Sequence, residues 1–225
     1  MKKGIMIAFD GVNGSGKSGA IIKVKEALER KGFDVVTTRE PGGTEIGEKI
    51  RDIILDPGSS AMSSITEVML FAAGRHQHIQ EFIIPAIDSG KIVLCDRFSA
   101  STYSFQQYAR NMDKDMVKSI NDIALSGFSP DKNIVFDLDP YVGMQRVTGR
   151  GEILERFELL AIEFHKKARE GFLNQAKESP DDFAIIDASP AQSEVIKSVL
   201  SEVFKTIREK NIKPKKSEWS PSPCE

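Results

Sequence analysis

The eight residues Gly11-Val12-Asn13-Gly14-Ser15-Gly16-Lys17-Ser18 match G-x-x-x-x-G-K-[ST] at every fixed position. The pattern constrains the fold because it works only in one context, between a strand and a helix. Its glycines let backbone N–H groups turn inward around phosphate oxygens, and the helix that follows aims its positive end at the same spot. The flanks supply that context. Residues 5–9 are a short apolar run that stops at Asp10-Gly11, as a buried strand entering a turn does. Residues 18–30 carry Ile21, Val24, Ala27 and Leu28 at helical spacing and stop at Lys31-Gly32. Such a loop binds a nucleoside triphosphate, with Lys17 reaching the β- and γ-phosphates and Ser18 binding Mg²⁺. It does not say what becomes of the phosphate.

The rest of the chain repeats the alternation. Strands are expected at 34–38, 92–95, 133–138 and 183–187. Helices are expected at 45–55, 64–73, 76–88, 113–125, 158–177 and 194–208, with Pro85 kinking or delaying the third of these. Short apolar strands between amphipathic helices imply a five-stranded parallel sheet covered on both faces. A length of 225 residues without repeats or linkers suits one domain over 1–210. Residues 211–225 are rich in Lys and Pro and read as a mobile tail.

A net charge of −2 argues against a nucleic-acid coat. Cys95 lies in an apolar run and Cys224 is penultimate, so no disulfide framework or C-x-x-C site is expected. His76 and His78 point to different faces of a helix and His165 is remote, which is no metal-ligand spacing. No apolar run reaches transmembrane length, so no membrane partner and a cytoplasmic setting are expected.

Three further segments bear on a second ligand. The third strand ends Leu94-Cys95-Asp96-Arg97, where a mechanical ATPase would end in Asp-Glu. Asp96 suits Mg²⁺ and its waters, and Arg97 adds a fixed cation for a second phosphate-bearing molecule. Thr38-Arg39-Glu40-Pro41-Gly42-Gly43-Thr44 follows the second strand, at the carboxyl edge where ligands of doubly wound sheets bind. Phe71 and Arg75 are four apart on one helix, a ring to stack on a base and an arginine to hydrogen-bond it. No N-K-x-D string of a switch GTPase is present.

In order, these segments, with Leu70-Phe71-Ala72-Ala73-Gly74-Arg75, Asp96-Arg97-Phe98, Ser101-Thr102 to Gln106 and Glu155-Arg156-Phe157-Glu158, resemble the bacterial type of thymidylate kinase over residues 3–208. The resemblance implies a P-loop nucleoside monophosphate kinase fold with a lid at about 143–157. It implies phosphorylation of dTMP by ATP and Mg²⁺, and a homodimer. It places Gly11 to Ser18 on ATP, and Ser18 and Asp96 on the metal. Phe71 stacks on thymine, Arg75 bonds it, and Ser101, Thr102 and Gln106 approach its edge. Arg39, Arg51 and Arg97 surround the monophosphate, with Asp10, Asn13, Glu40 and Pro41 also at the acceptor. Lys17, Arg97, Arg146 and Arg150 act on the transferring group, the last two from the lid. The chain departs from the family pattern at Asn13, where an acid reading the sugar 3′-hydroxyl is usual, and at Asp10, Gly74 and Ser18-Gly19. The departures fit a divergent or viral member or a loosened specificity. The rival readings are a deoxynucleoside monophosphate kinase of different or broader base specificity and a non-catalytic nucleotide switch.

Overall fold

A computed structural model describes residues 4–149, 151 and 153–215 of the chain. The five strands are β1 (Ile5–Gly11), β2 (Val35–Arg39), β3 (Ile92–Asp96), β4 (Lys132–Asp137) and β5 (Phe183–Asp187). They pair in parallel in the order β2-β3-β1-β4-β5, so the strand that feeds the phosphate loop is central.

Because β1 is covered on both faces, its alternate side chains enter two separate cores. Ile5, Ile7 and Phe9 pack with Ala20, Ile21, Val24 and Leu28 of α1 (Lys17–Glu29) and with Val195, Val199, Val203 and Ile207 of α9 (Gln192–Glu209). Met6 and Ala8 face the other way, onto Ile79, Ile83 and Ile87 and onto Phe98. A third core gathers Ile54, Ala100, Phe105, Phe157 and Phe172 beneath the cleft.

The helical segment after residue 63 differs from expectation. α3 (Ser64–His78) runs unbroken through Gly74, a wide π turn spans Ile79–Ile83, and α4 is Ile84–Asp88. Pro85 therefore sits in the first turn of α4, where its missing N–H costs nothing. Gly74 lies beside Ile50 of α2 (Glu45–Leu55), where an added methyl would meet it at ordinary contact distance.

Two helical segments were not expected. α5 (Ser99–Thr102) continues into a π-helical stretch, Tyr103–Ala109, and α7 is Pro140–Thr148. α6 is Lys114–Leu125 and α8 is Ile162–Glu178, the latter starting four residues later than the pattern suggests. Of the segment read as a tail, residues 211–215 are described. Lys215 donates its N–H to the Gly32 carbonyl (2.9 Å) and pairs with Asp34 (2.5 Å). The remainder lies outside the described residues. Among the described residues, no helix is long and apolar enough to cross a membrane.

Candidate active site

Parallel register brings the strand ends to one edge. Phe9 of β1 and Arg39 of β2 both stand opposite Asp96 of β3. A cleft of about 350 Å³ opens there, lined by the phosphate loop on one side and by Phe71, Arg75 and Gln106 on the other.

Gly16 caps α1 in the left-handed region, at φ 91°, which only glycine adopts without strain. Lys17 is buried against the loop it follows. Its ammonium donates to the carbonyls of Gly11 (3.3 Å) and Val12 (3.0 Å) and to Ser15 Oγ (3.3 Å). Ser18 Oγ donates to Asp96 Oδ2 at 2.6 Å. A hydroxyl and a carboxylate at this spacing are the hard oxygen donors that Mg²⁺ takes, usually together with substrate phosphates. Among the described residues, no group of three His, Cys, Asp or Glu could hold a metal ion.

Arg97 bridges the two halves. Its backbone is held at φ 68°, a sparsely populated region for a side-chain-bearing residue and one that concentrates at functional sites. The guanidinium donates to Gly11 O (2.8 Å), Ser101 Oγ (3.3 Å) and Asn13 Oδ1 (2.5 Å), and lies over the Phe105 ring. These acceptors are neutral. The other arginines facing the cleft are each held by a carboxylate: Arg39 by Glu48, Arg51 by Glu155 and Arg75 by Glu40. Arg51 also donates to Pro41 O (3.0 Å).

On the far wall, Arg75 is the largest fully buried side chain. Its Nε donates to Glu40 Oε2 (2.9 Å) and its Nη1 to Thr102 Oγ1 (2.9 Å) and Asn121 Oδ1 (2.7 Å). Glu40 accepts from Arg75 and also contacts His78 Nδ1 at 3.1 Å. Glu40 and Thr102 thus line the cleft while bonded to Arg75. Phe71 meets Phe157 edge-on at 5.9 Å, so the ring that faces the cleft is braced from the lid side. Gln106 is buried and donates to Glu67 Oε1 at 2.9 Å.

The segment expected to form a lid starts in α7, whose Arg146 reaches Gly14 O at 3.4 Å. Arg150 lies outside the described residues. Arg156, at the other end of that segment, is buried. It donates to Ile54 O (2.8 Å) and to Glu67, and its own N–H bonds Leu55 O (3.0 Å).

Asp10 was expected at the acceptor, but the structure places it beneath the loop, fully buried and off the cleft wall. Its Oδ1 accepts from Ser101 (2.5 Å), and its Oδ2 has no partner. Burial pushes its pKa up to about 6, against the opposing pull of Ser101, Arg97 and Lys17. Between about pH 4 and 6 the folded chain keeps this proton and the unfolded chain has lost it. Native stability therefore falls as pH rises through that window, by up to ~3 kcal/mol from this group. Asp10→Asn abolishes the dependence. The melting temperature of the variant, relative to the parent, is expected to rise by several degrees between pH 4.5 and 7.5. A difference that stays flat with pH shows that the carboxyl is ionised throughout.

Sequence reasoning missed Glu67, Asn121 and Phe105, all buried or packed around the pocket. One signal was available for Glu67: positions 67, 71 and 75 form a single i, i+4, i+8 stripe on α3. Asn121 carried none.

The thymidylate kinase family model matches residues 9–199. Among curated relatives, the thymidylate kinase of Geobacillus sp. (strain WCH70) is 43% identical over 206 residues, covering 91% of this chain and 98% of that protein. That of Pelobacter propionicus is 42% identical, covering 89% and 94%. The crystal structure of thymidylate kinase from Ehrlichia chaffeensis superposes with a TM-score of 0.71 at 28% identity, covering 89% of this chain and 98% of that one. With phosphate loop, bridging arginine and aromatic pocket in one cleft, the chain belongs to the thymidylate kinase family.

Proposed function

We propose that the protein transfers the γ-phosphoryl of ATP directly to the 5′-phosphate of dTMP. The observation that carries this reading is Arg97. It reaches from the triphosphate loop toward the pocket of Phe71, Arg75 and Gln106, its guanidinium hydrogen-bonded to the neutral oxygens of Gly11, Ser101 and Asn13. A switch needs the loop alone; a second nucleotide needs the far wall and a cation between.

Phosphoryl transfer asks for positioning and charge stabilisation rather than covalent chemistry. The loop amides and Lys17 hold the triphosphate. Ser18 and Asp96 would hold Mg²⁺, which supplies positive charge across the phosphates when bound. Arg39, Arg51 and Arg97 take the acceptor phosphate, so two polyanions approach without prohibitive repulsion. Asn13 keeps the charge of Arg97 unspent; an acid there would pair with it. Phe71 stacks on the base and Arg75 donates to it. Lid arginines, Arg146 and Arg150, neutralise the transferring group, and closure keeps water out. A cytoplasmic setting, with ATP and no membrane or nucleic-acid partner, fits this chemistry.

The test is ADP release against dTMP, dUMP, dCMP and dGMP. We expect dTMP to be preferred at least tenfold over dCMP and dGMP, because a polar site rejects a base that leaves its groups unpaired. Equal rates across the panel support the broad-range alternative, and no acceptor-dependent ADP release overturns the kinase reading.

The protein is further proposed to act as a homodimer. Ile46 and Ile53 of α2, Ile65 and Met69 of α3, and Ile123 of α6 are large, apolar and exposed on helices that pack side by side. A second copy covers them. Light scattering is expected to give twice the 24.9 kDa chain mass, reduced by half in Ile53→Glu/Ile123→Glu. A parent protein of single-chain mass at micromolar concentration rejects the dimer.

A further inference from the structure

Glu67 lies outside the phosphate loop, the acceptor arginines and the lid tip, behind the wall of the base pocket, where its carboxylate accepts four hydrogen bonds. It is buried on α3, one turn before Phe71. Oε1 accepts from Gln106 Nε2 (2.9 Å) and Arg110 Nε (3.2 Å). Oε2 accepts from Arg110 Nη2 (2.9 Å) and from Arg156. Burial alone pushes its pKa up, but the hydrogen bonds from Arg110, Gln106 and Arg156 outweigh that and hold it below the usual range.

An ionised carboxylate only accepts hydrogen bonds, whereas a glutamine amide offers one accepting and one donating end. An unconstrained amide turns over to suit whatever meets it. Here the donating end is taken by Glu67, so the accepting oxygen of Gln106 is the end left for a ligand. Gln106 shares the cleft with Arg75, which can only donate. The wall therefore offers one donor and one acceptor in fixed positions. Thymine and uracil carry a ring N–H beside a carbonyl and match that pair. Cytosine carries a ring acceptor beside an amine and opposes it at both.

We infer that Glu67 is a positioning residue for base selection: it sets the polarity of the Gln106 amide and thereby the preference for a pyrimidine with a ring N–H over one with a ring acceptor. This rests on the pocket assignment proposed above, in which Gln106 faces the base. A purely structural Glu67, present only to neutralise Arg110 and Arg156, affects every acceptor alike.

The experiment compares kcat/KM for dTMP and dCMP in the full chain, in Glu67→Gln, in Gln106→Ala and in the double variant. A neutral amide at 67 can donate or accept, so Gln106 is freed to turn. We expect the dTMP:dCMP ratio to fall about tenfold in Glu67→Gln, the worth of one fixed hydrogen bond. We expect a similar fall in Gln106→Ala and no further fall on combining the two. A ratio unchanged in Glu67→Gln, or a fall just as large when Gln106 is already absent, overturns the inference. A ratio unchanged in Gln106→Ala instead shows that Gln106 does not meet the base, and the pocket assignment fails with everything built on it. Should Glu67→Gln not fold, Glu67→Asp keeps the charge and withdraws the oxygens from Gln106. It is expected to lower the ratio in the same direction, and an unchanged ratio there is equally decisive against the inference.

Discussion

Lys17→Ala is expected to lower kcat for dTMP phosphorylation by at least a hundredfold while the chain stays folded. In the structure the Lys17 ammonium rests on three acceptors of its own loop, Gly11 O, Val12 O and Ser15 Oγ. It is preorganised, pointing inward rather than into solvent. A triphosphate seated on the loop offers it charged oxygens in place of neutral carbonyls, and charge-assisted hydrogen bonds are roughly twice as strong. The contact strengthens as charge shifts toward the β–γ bridge during transfer, so its loss appears in kcat and not only in binding. Removing one such group costs several kcal/mol of transition-state stabilisation, and each ~1.4 kcal/mol is a factor of ten in rate. The fold depends on it less, because the loop lies over a core made by Phe9, Ala20 and Ile21, which the substitution leaves intact. Coupled ADP-release kinetics beside a thermal melt separate the two effects. Undiminished turnover in a folded variant means that this loop does not hold the transferring phosphate.

What the sequence made legible were the parts built on short-range patterns. β1, the phosphate loop and α1 follow from an apolar run, two glycines and a helical stripe. Asp96-Arg97 was readable as a strand end. The segment from Ser99 to Ala109 was not readable as helical, because its buried face is polar: Ser101, Thr102 and Gln106 turn toward the cleft and Phe105 is the main apolar anchor. A helix whose inward face lines a site lacks the apolar period by which helices are recognised. The start of α8 was misplaced for a related reason. Residues 155–160 are tied down by side chains, with Arg156 held by Glu67 and Arg51 by Glu155, and tertiary bonds override local propensity. Glu67 and Arg156 are 89 residues apart, a pairing no local pattern encodes. The role expected of Asn13 at the sugar was inferred from resemblance. In the structure Asn13 lines the cleft and its oxygen accepts from Arg97.

The second large effect is expected from a single methyl group at Gly143. This glycine is inside α7, where alanine is normally the better residue by about 1 kcal/mol. Here a Cβ would stand 2.3 Å from Asn13 O, backbone that cannot swing aside like a side chain. The contact is reciprocal, since a Cβ on Gly14 would stand 2.1 Å from Gly143 O. Helix α7 and the phosphate loop are thus packed backbone to backbone through two glycines. Relieving the overlap needs a shift of about 1 Å, because ordinary contacts lie near 3.5 Å and packed interiors do not compress. Either α7 moves outward, withdrawing Arg146 from Gly14, or the loop moves and its amides lose register with the phosphates. A displacement of that size costs on the order of a hundredfold in rate. Stability changes much less, since the helix-propensity gain offsets part of an overpacking cost of roughly 1–3 kcal/mol. Gly143→Ala is therefore expected to be a folded, poorly active protein, its kcat down by about two orders of magnitude. Gly149→Ala is the control. It lies at the end of the same helix, where an added Cβ meets only Gln145 O and Arg146 O of α7 itself, and it is expected to stay within a fewfold of the parent. If Gly143→Ala keeps the parent's kcat, the close approach of the two glycines is not what holds the loop and the lid in register.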